Sequence, residues 1–173
     1  MFGKPRQVDT EADLYDIAIR ALMRRAHSVS EMKKKLERRA SSKLLAQVVM
    51  ARLRESGQLD DARYAQQFTR QRTVGRKQGK FRVARDLRAR GVSDANIDAA
   101  IKESADENAE RATIRSRIER KLRSFRGEIS DKKMASLYAS LLRAGFPSDA
   151  IRRELKSITR EEIPEVEPAE DSL

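Results

Sequence analysis

Two adjacent carboxylates, Asp60 and Asp61, lie in the segment GQLDDARYAQQF at residues 57–68 of a strongly basic chain. Paired carboxylates can act as acid and base or bind a metal ion, and they can also begin a helix. A metal site needs further oxygen ligands, but the residues that follow include Gln66, Gln67 and arginines and no carboxylate. We therefore predict that Asp60 caps a helix and that Asp61 lies in its first turn, near the positive end of the helix dipole.

Residues for other kinds of catalysis are scarce. The chain has no cysteine and a single histidine, which excludes thiolate chemistry and most zinc sites and catalytic triads. That histidine, His27, directly precedes a predicted helix start, where a packing contact with Met32 is expected. The segment GRKQGK at residues 75–80 lacks the glycine spacing and the hydroxyl of a phosphate-binding loop. The sequence therefore predicts a protein that is not an enzyme and that uses no metal or cofactor.

Basic side chains are the abundant functional groups. The chain has 38 Lys and Arg against 27 Asp and Glu, and a formal net charge of +11. Such an excess indicates an anionic partner, with nucleic acid as the leading candidate and a merely solvated basic surface as the alternative. The residues predicted to bind this partner are Arg70, Arg72, Arg76, Lys77, Lys80, Arg82, Arg85, Arg88, Arg90, Arg115, Arg120 and Arg123.

The densest basic segment, residues 69–91, contains nine of these residues and one acidic residue. Two glycines bracket a predicted loop within it, where cations can approach a phosphate backbone closely. Arg82, Arg85 and Arg88 recur at intervals of three, which predicts that they share a solvent-exposed helix face. Phe125, near the second basic cluster at residues 111–126, is expected in the core, whereas Phe81 fits a core position or a base-stacking position equally well.

Helical periodicity dominates the sequence. Leu14, Ile17, Ala18 and Ala21 show the spacing of three and four residues that forms one apolar stripe, and strand-like alternation is almost absent. Three segments, residues 31–50, 82–101 and 136–155, can be superimposed with their apolar positions in common columns. A turn column in this alignment contains Ala40, Gly91 and Gly145, where glycine can adopt the positive φ that ends a helix. Each segment follows another predicted helix, at residues 12–26, 61–75 and 107–126.

These patterns predict an all-α fold, an elongated tandem array of three three-helix repeats. The expected boundaries are a flexible N-terminus at 1–10, repeats at 11–57, 58–105 and 106–160, and a disordered acidic C-terminal tail at 161–173. Because the tail contributes −6 to the total of +11, the residues before it carry +17. The side chains predicted to cap or begin helices are Ser28, Glu31, Asp60, Asp61 and Ser93.

No part of the sequence suggests insertion into a membrane. The first residues lack the apolar segment of a signal peptide, and no stretch approaches the roughly 18 apolar residues of a membrane-spanning helix. We therefore expect a cytoplasmic protein. Nothing in the sequence requires a dimer, so a monomer is expected.

Four segments together resemble the RecX family of bacterial recombination regulators. They are RRAHSVSEMKKKL (24–36), GQLDDARYAQQF (57–68), GKFRVARDLRARGVS (79–93) and SLLRAGFPSDAI (140–151). The sequence differs from the family at Tyr64, where Phe is frequent, and at Ala40, where the first turn often has glycine followed by an aromatic residue.

The resemblance implies a negative modulator of the RecA recombinase. Such a protein binds RecA and its filament on single-stranded DNA, lies along the helical groove of the filament, and inhibits ATP hydrolysis, strand exchange and coprotease activity. The alternative is a general basic helical module that binds nucleic acid without RecA. The sequence leaves open whether double-stranded DNA is bound, which arginines contact DNA or RecA, and whether filaments are capped or dismantled.

Overall fold

A computed structural model describes residues 7–125 and 130–161 of the chain, with side chains to residue 158, and over these residues the fold is all-α. The helices are α1 (Glu11–Arg24), α2 (Val29–Glu37), α3 (Lys43–Glu55), α4 (Asp61–Arg70), α5 (Lys80–Arg88), α6 (Asp94–Glu103), α7 (Glu107–Ser124), α8 (Asp131–Arg143) and α9 (Ser148–Glu161). The predicted fold class is confirmed. Of the predicted acidic tail, only Glu161, the last residue of α9, lies within the described residues.

Three predicted helices differ from the observed ones at their C-terminal ends. The helix predicted over residues 12–26 ends at Arg24. The helix predicted over residues 61–75 has α-helical geometry only to Arg70, and a π-helical turn, Gln71–Gly75, continues it. The hydroxyl of Thr73 donates a hydrogen bond to the carbonyl oxygen of Thr69 at 2.9 Å within this wider turn. The helix predicted over residues 107–126 ends at Ser124, and residue 126 lies outside the described part of the chain.

Polar side chains begin most of the helices. Side-chain oxygens that accept a hydrogen bond from a first-turn N–H belong to Thr10, Ser28, Ser42, Asp60, Ser93 and Asp106. At α2 the bond is reciprocated, because Ser28 Oγ accepts from the N–H of Glu31 at 3.1 Å while Glu31 Oε2 accepts from the N–H of Ser28 at 3.3 Å. Asp60 Oδ1 accepts from two successive N–H groups of α4 at 2.8 and 3.1 Å. Each such cap typically contributes about 1 kcal/mol.

The buried apolar residues form three clusters, within residues 14–59, 64–101 and 114–158. Leu36, Leu87 and Leu141, which share one column of the sequence alignment, each lie in a different cluster, and each is almost completely buried. The repeated columns therefore coincide with repeated core positions, since each cluster needs a large side chain at the same place between two helices.

Backbone contacts group the described residues into two compact units. The first contains residues 7–76 and 83–105, and the second contains residues 77–82 and 106–161. Two of the buried clusters lie in the first compact unit, and the cluster within residues 114–158 lies in the second. The division into three separate three-helix repeats stays a prediction.

In the first compact unit, the turn after α5 packs against the start of α2. Gly91 has a φ of +75°, and a Cβ atom at this position would lie 2.5 Å from both Cβ and Oγ of Ser30. Next to it, the hydroxyl of Ser28 donates a hydrogen bond to the carbonyl oxygen of Arg90 at 2.6 Å. Only glycine combines this backbone conformation with so close an approach.

The second compact unit contains an equivalent contact, between the turn after α8 and residues 79–82. Gly145 has a φ of +90°, and a Cβ atom there would lie 2.4 Å from the backbone nitrogen of Arg82. The N–H of Gly79 donates to the carbonyl oxygen of Ala144 at 2.9 Å. Gly79 aligns with Ser28 and Ala144 aligns with Arg90, so the same contact recurs with a backbone N–H in place of a hydroxyl.

Ala40, the third member of the turn column, has a different neighbour. An isolated parallel bridge pairs it with Val8. The N–H of Val8 donates to Arg39 at 2.8 Å, and the carbonyl oxygen of Val8 accepts from Ser41 at 3.0 Å. Ala40 has no positive φ, so the turn requires no glycine.

Candidate nucleic-acid interface

The predicted basic residues between α4 and α6 fall into an exposed set and a half-buried set. The exposed residues are Arg70, Arg76, Lys77, Lys80, Arg85 and Arg88, and the half-buried residues are Arg72, Arg82 and Arg90. The structure thus separates Arg82 from Arg85 and Arg88, with which it was predicted to share a solvent-exposed face. Val83 and Leu87 on the opposite side of α5 are fully buried, as the periodicity predicted.

Arg72 and Arg90 converge on the aromatic ring of Phe68. Their guanidinium carbons lie 4.8 and 4.7 Å from the ring centroid, within the range of a cation–π interaction. Tyr64 lies one helical turn before Phe68, with the ring centroids 6.0 Å apart. Together with Arg25, these residues line an open cleft of about 710 Å³ in the first compact unit. We call it the Phe68 cleft.

Glu31 provides the carboxylate of the Phe68 cleft. Its Oε2 accepts from Arg25 Nη1 at 3.0 Å, and its Oε1 lies 3.9 Å from Arg90 Nε. Burial acts to raise the pKa of Glu31, but the hydrogen bonds from Arg25 and Ser28 and the charge of Arg25 hold that pKa below its usual value. Glu31 therefore stays ionised and holds two of the three arginines that line the Phe68 cleft, Arg25 and Arg90.

The exposed arginines of α5 have acidic neighbours as well. Arg88 Nε lies 2.6 Å from Asp94 Oδ1, and Arg85 Nη2 lies 3.6 Å from Asp86 Oδ1. Exposed pairs of this kind typically contribute no more than about 1 kcal/mol, so a phosphate could displace either carboxylate at small cost. Asp94 also occupies the first turn of α6, and the charge spacing alone did not reveal that it lies beside Arg88.

Phe81 lies at the surface of the second compact unit. Its side chain is 60% exposed, and the Lys80 ammonium nitrogen lies 5.9 Å from its ring centroid. The N–H of Phe81 donates to the carbonyl oxygen of Gly145 at 3.1 Å, which fixes the backbone at this point. An exposed aromatic ring beside a cation on a fixed backbone is typical of a base-stacking position in a protein that binds single strands.

The predicted basic residues of α7 occupy different environments. Arg120 and Arg123 are exposed, whereas Arg115 is half-buried and its Nε lies 3.1 Å from Glu119 Oε1. Phe125, predicted in the core, is only half-buried, and Lys121 and Lys133 each place an ammonium nitrogen 5.6 Å from its ring centroid.

The acidic pair and the histidine have structural partners. Asp60 caps α4, and Asp61 Oδ1 accepts a hydrogen bond from the N–H of Val29 at 2.8 Å. His27 is buried, its Nδ1 lies 2.9 Å from the carbonyl oxygen of Arg25, and burial lowers its pKa. Within residues 7–125 and 130–158, no group of three or more potential His, Cys, Asp or Glu ligands is close enough to hold a metal ion. Over the same ranges, no helix has the length and apolar character needed to cross a bilayer.

Sequence reasoning missed the aromatic centre of the Phe68 cleft. Tyr64, Phe68 and Arg72 are spaced four residues apart, so they share one side of α4 and of the π-helical turn that follows. This spacing was a usable signal. The arrival of Arg90 at the ring of Phe68, and of Arg25 at the same cleft, depends on packing between segments distant in sequence, and the spacing contains no information about it.

A family model and a solved structure both match this chain. A family model described as RecX, second three-helix domain, matches residues 60–101. A crystal structure of RecX from Lactobacillus salivarius superimposes with a TM-score of 0.78 at 17% sequence identity, and the match covers 87% of this chain and 97% of that one. At this identity the likeness establishes the fold alone.

Relatives in sequence extend over most of the chain. A regulatory protein RecX of Halorhodospira halophila is 37% identical over 139 residues, which are 79% of this chain and 83% of the relative. A regulatory protein RecX of Pseudomonas putida is 34% identical over 148 residues, or 86% of this chain and 92% of the relative. The resemblance carried by the four sequence segments is thereby confirmed, and the chain belongs to the RecX family of regulatory proteins.

Proposed function

We propose that this chain is a negative modulator of the RecA recombinase. It binds the RecA filament on single-stranded DNA in the cytoplasm and inhibits ATP hydrolysis, strand exchange and coprotease activity. Membership of the RecX family supports the choice of protein partner. The presence of Arg25, Arg72 and Arg90 in the Phe68 cleft supports contact with an anionic surface, because a cleft with low-dielectric walls concentrates the field of its charges.

The mode of action is binding rather than catalysis. Guanidinium groups at the Phe68 cleft donate hydrogen bonds to DNA phosphates or to acidic side chains of the filament, and these charge-assisted bonds are stronger than neutral ones. Phe68 and Glu31 hold Arg90 in place before binding, which lowers the entropy lost when the complex forms. A bound monomer then obstructs strand pairing and the cycle of ATP hydrolysis.

A RecA ATPase assay on single-stranded DNA tests this proposal. The purified chain is titrated into RecA filaments assembled on saturating DNA, and we expect inhibition at a stoichiometric ratio or a modest excess over RecA. A large excess of DNA free of RecA serves as the control for simple competition for the strand. Unchanged ATP hydrolysis at a modest excess of this chain would refute the proposal.

The second candidate is a general nucleic-acid-binding module that acts without RecA. The exposed ring of Phe81 beside Lys80 favours this alternative, because a base of a single strand can stack on the ring without any contact with RecA. Under this alternative, all inhibition of RecA disappears when excess free DNA absorbs the chain. Inhibition that survives the excess DNA requires a direct contact with RecA.

A further inference from the structure

A groove between α7 and α8 lies in the second compact unit, separate from the Phe68 cleft. It encloses about 260 Å³ and has a floor of Leu137 and Leu141. The side chains that line it above this floor are Arg117, Arg120, Lys121, Ser124 and Ser140. We call it the α7–α8 groove.

The cations of the α7–α8 groove have no acidic partner within the part of the chain that the structure describes. Among residues 7–125 and 130–158, no carboxylate lies within 4.0 Å of the charged groups of Arg117, Arg120 or Lys121. This differs from the Phe68 cleft, where Glu31 offsets part of the charge. Over the described residues, the α7–α8 groove therefore presents donors with no carboxylate that must first be displaced.

Arg117 is fixed at the inner side of the groove. Its Nη2 donates to the carbonyl oxygen of Lys77 at 2.9 Å, and its guanidinium carbon lies 5.5 Å from the ring centroid of Phe146. Burial, followed by the charges of Arg120 and Arg82, lowers the pKa of Arg117. The positive charge of Arg120, which lines the same groove, thus acts unfavourably on Arg117, and an anion bound beside both would offset that repulsion.

We propose that the α7–α8 groove binds a phosphodiester group of a nucleic-acid backbone. Arg117 and Arg120 donate to the non-bridging oxygens, Lys121 adds a positive charge, and the hydroxyls of Ser124 and Ser140 line the opposite sides. A phosphate group offers several acceptor oxygens to planar guanidinium donors at once, and this geometry favours it over the single carboxylates of an acidic protein surface. The inference rests on the proposed function only in taking DNA as the anion.

Direct binding of DNA in the absence of RecA tests the groove. Anisotropy of a labelled oligothymidylate is measured across a salt series with the full chain and with the double variant Arg117→Gln, Arg120→Gln. Because each lost phosphate contact on a single strand lowers the log–log salt slope by about 0.7, we expect the slope to fall by about 1.4. The matched control, Arg152→Gln with Arg153→Gln on the exposed surface of α9, removes the same charge and should leave the slope nearly unchanged.

Two outcomes would overturn the proposed site. One is a slope that the groove variant leaves unchanged, and another is an equal fall for the groove and control variants. If circular dichroism shows that the double variant is misfolded, the single variant Arg120→Gln, at an exposed position, is measured instead. We expect its log–log salt slope to fall by about 0.7, and an unchanged slope would overturn the site.

A second measurement separates phosphate from carboxylate ligands. Arginine side-chain N–H resonances are followed by NMR while the full chain is titrated with unlabelled oligothymidylate or with polyglutamate. Shifts of the Arg117 and Arg120 resonances with oligothymidylate alone support the phosphate site. Shifts with polyglutamate alone would overturn it and would indicate that the groove binds an acidic protein. RecA is absent from both experiments. If the chain inhibits RecA but neither experiment shows the expected result, the proposed function stands and only this site is rejected.

Discussion

The Asp61 carboxylate accepts a hydrogen bond from the N–H of Val29 at 2.8 Å, across 32 residues of sequence. Val29 is the first residue of α2, so its N–H has no acceptor within its own helix. Asp61 therefore caps α2 from the first turn of α4, while its neighbour Asp60 caps α4 itself. The acidic pair joins two helices of the first compact unit as well as starting one of them.

The Asp61 contact predicts a larger loss of stability than a first-turn charge would explain. Asp61→Ala should lower the free energy of unfolding by about 1.5–3 kcal/mol, because a charge-assisted hydrogen bond to a half-buried N–H is lost. Asp60→Ala should cost about 0.5–2 kcal/mol, as for an ordinary cap. Urea unfolding of the full chain measures both changes. Asp98→Ala, at an exposed position in α6, controls for the loss of a carboxylate, and a loss for Asp61→Ala no greater than this control would contradict the prediction.

Gly91 provides a prediction that separates backbone strain from steric contact. Gly57 and Gly91 both have positive φ, +66° and +75°, but a Cβ at Gly57 would meet nothing within 4 Å. Gly57→Ala should therefore lower the free energy of unfolding only by the cost of placing alanine in the left-handed conformation, about 1–2 kcal/mol. Gly91→Ala should cost a further 1–3 kcal/mol, roughly, because of the clash with Ser30. Thermal and urea unfolding of the two variants provide the comparison.

A second substitution at Ser30 tests the cause of that difference. Ser30→Gly removes both atoms that a Cβ at Gly91 would meet. In the Gly91→Ala background, Ser30→Gly should recover part of the lost stability despite its own cost of about 1 kcal/mol in a helix. Additive losses in the double variant would show that the close approach is not the source of the strain.

Glu31 predicts a pH dependence of stability with a definite sign. Its pKa is lower in the folded chain than its ordinary value of 4.5, so the unfolded chain binds the proton more tightly. The resulting stabilisation is fully present above pH 4.5 and is lost as the pH falls through the folded pKa. Glu31→Gln should therefore be less stable than the parent chain at pH 7, and the difference should narrow below pH 4.5. Urea unfolding at pH 7, 5 and 3.5 measures this trend, and a difference independent of pH would contradict it.

The local features were predictable from sequence because the interacting residues lie within one helical turn. Ser28 and Glu31 are three residues apart, and their spacing alone indicated the reciprocal cap that the structure contains. The leucine column of the repeat alignment also located the core, because a fixed period identifies the buried side of each helix. Neither inference required knowledge of how helices pack against one another.

The contacts between helices were not predictable in the same way. Periodicity shows which side of α5 is buried, but it does not show that Arg82 is half-covered while Arg85 is exposed. Arg72 and Arg90 are 18 residues apart, and they meet at Phe68 only because α2, α4 and the end of α5 pack together in the first compact unit. The abundance of arginines therefore predicts an anionic partner, whereas the contacts of each arginine depend on how the helices pack.

The Phe68 cleft predicts which arginines determine salt-sensitive binding. Arg72→Gln with Arg90→Gln should lower the log–log salt slope of oligothymidylate binding by about 1.4 and weaken inhibition of the RecA ATPase. Arg85→Gln with Arg88→Gln removes the same charge from an exposed surface outside the cleft, where the charges are more fully screened by solvent, so its effect on both measurements should be smaller. Circular dichroism and urea unfolding establish that both variants are folded. If the two double variants weaken binding equally, only the net charge of the chain matters, and the cleft has no special role in recognition.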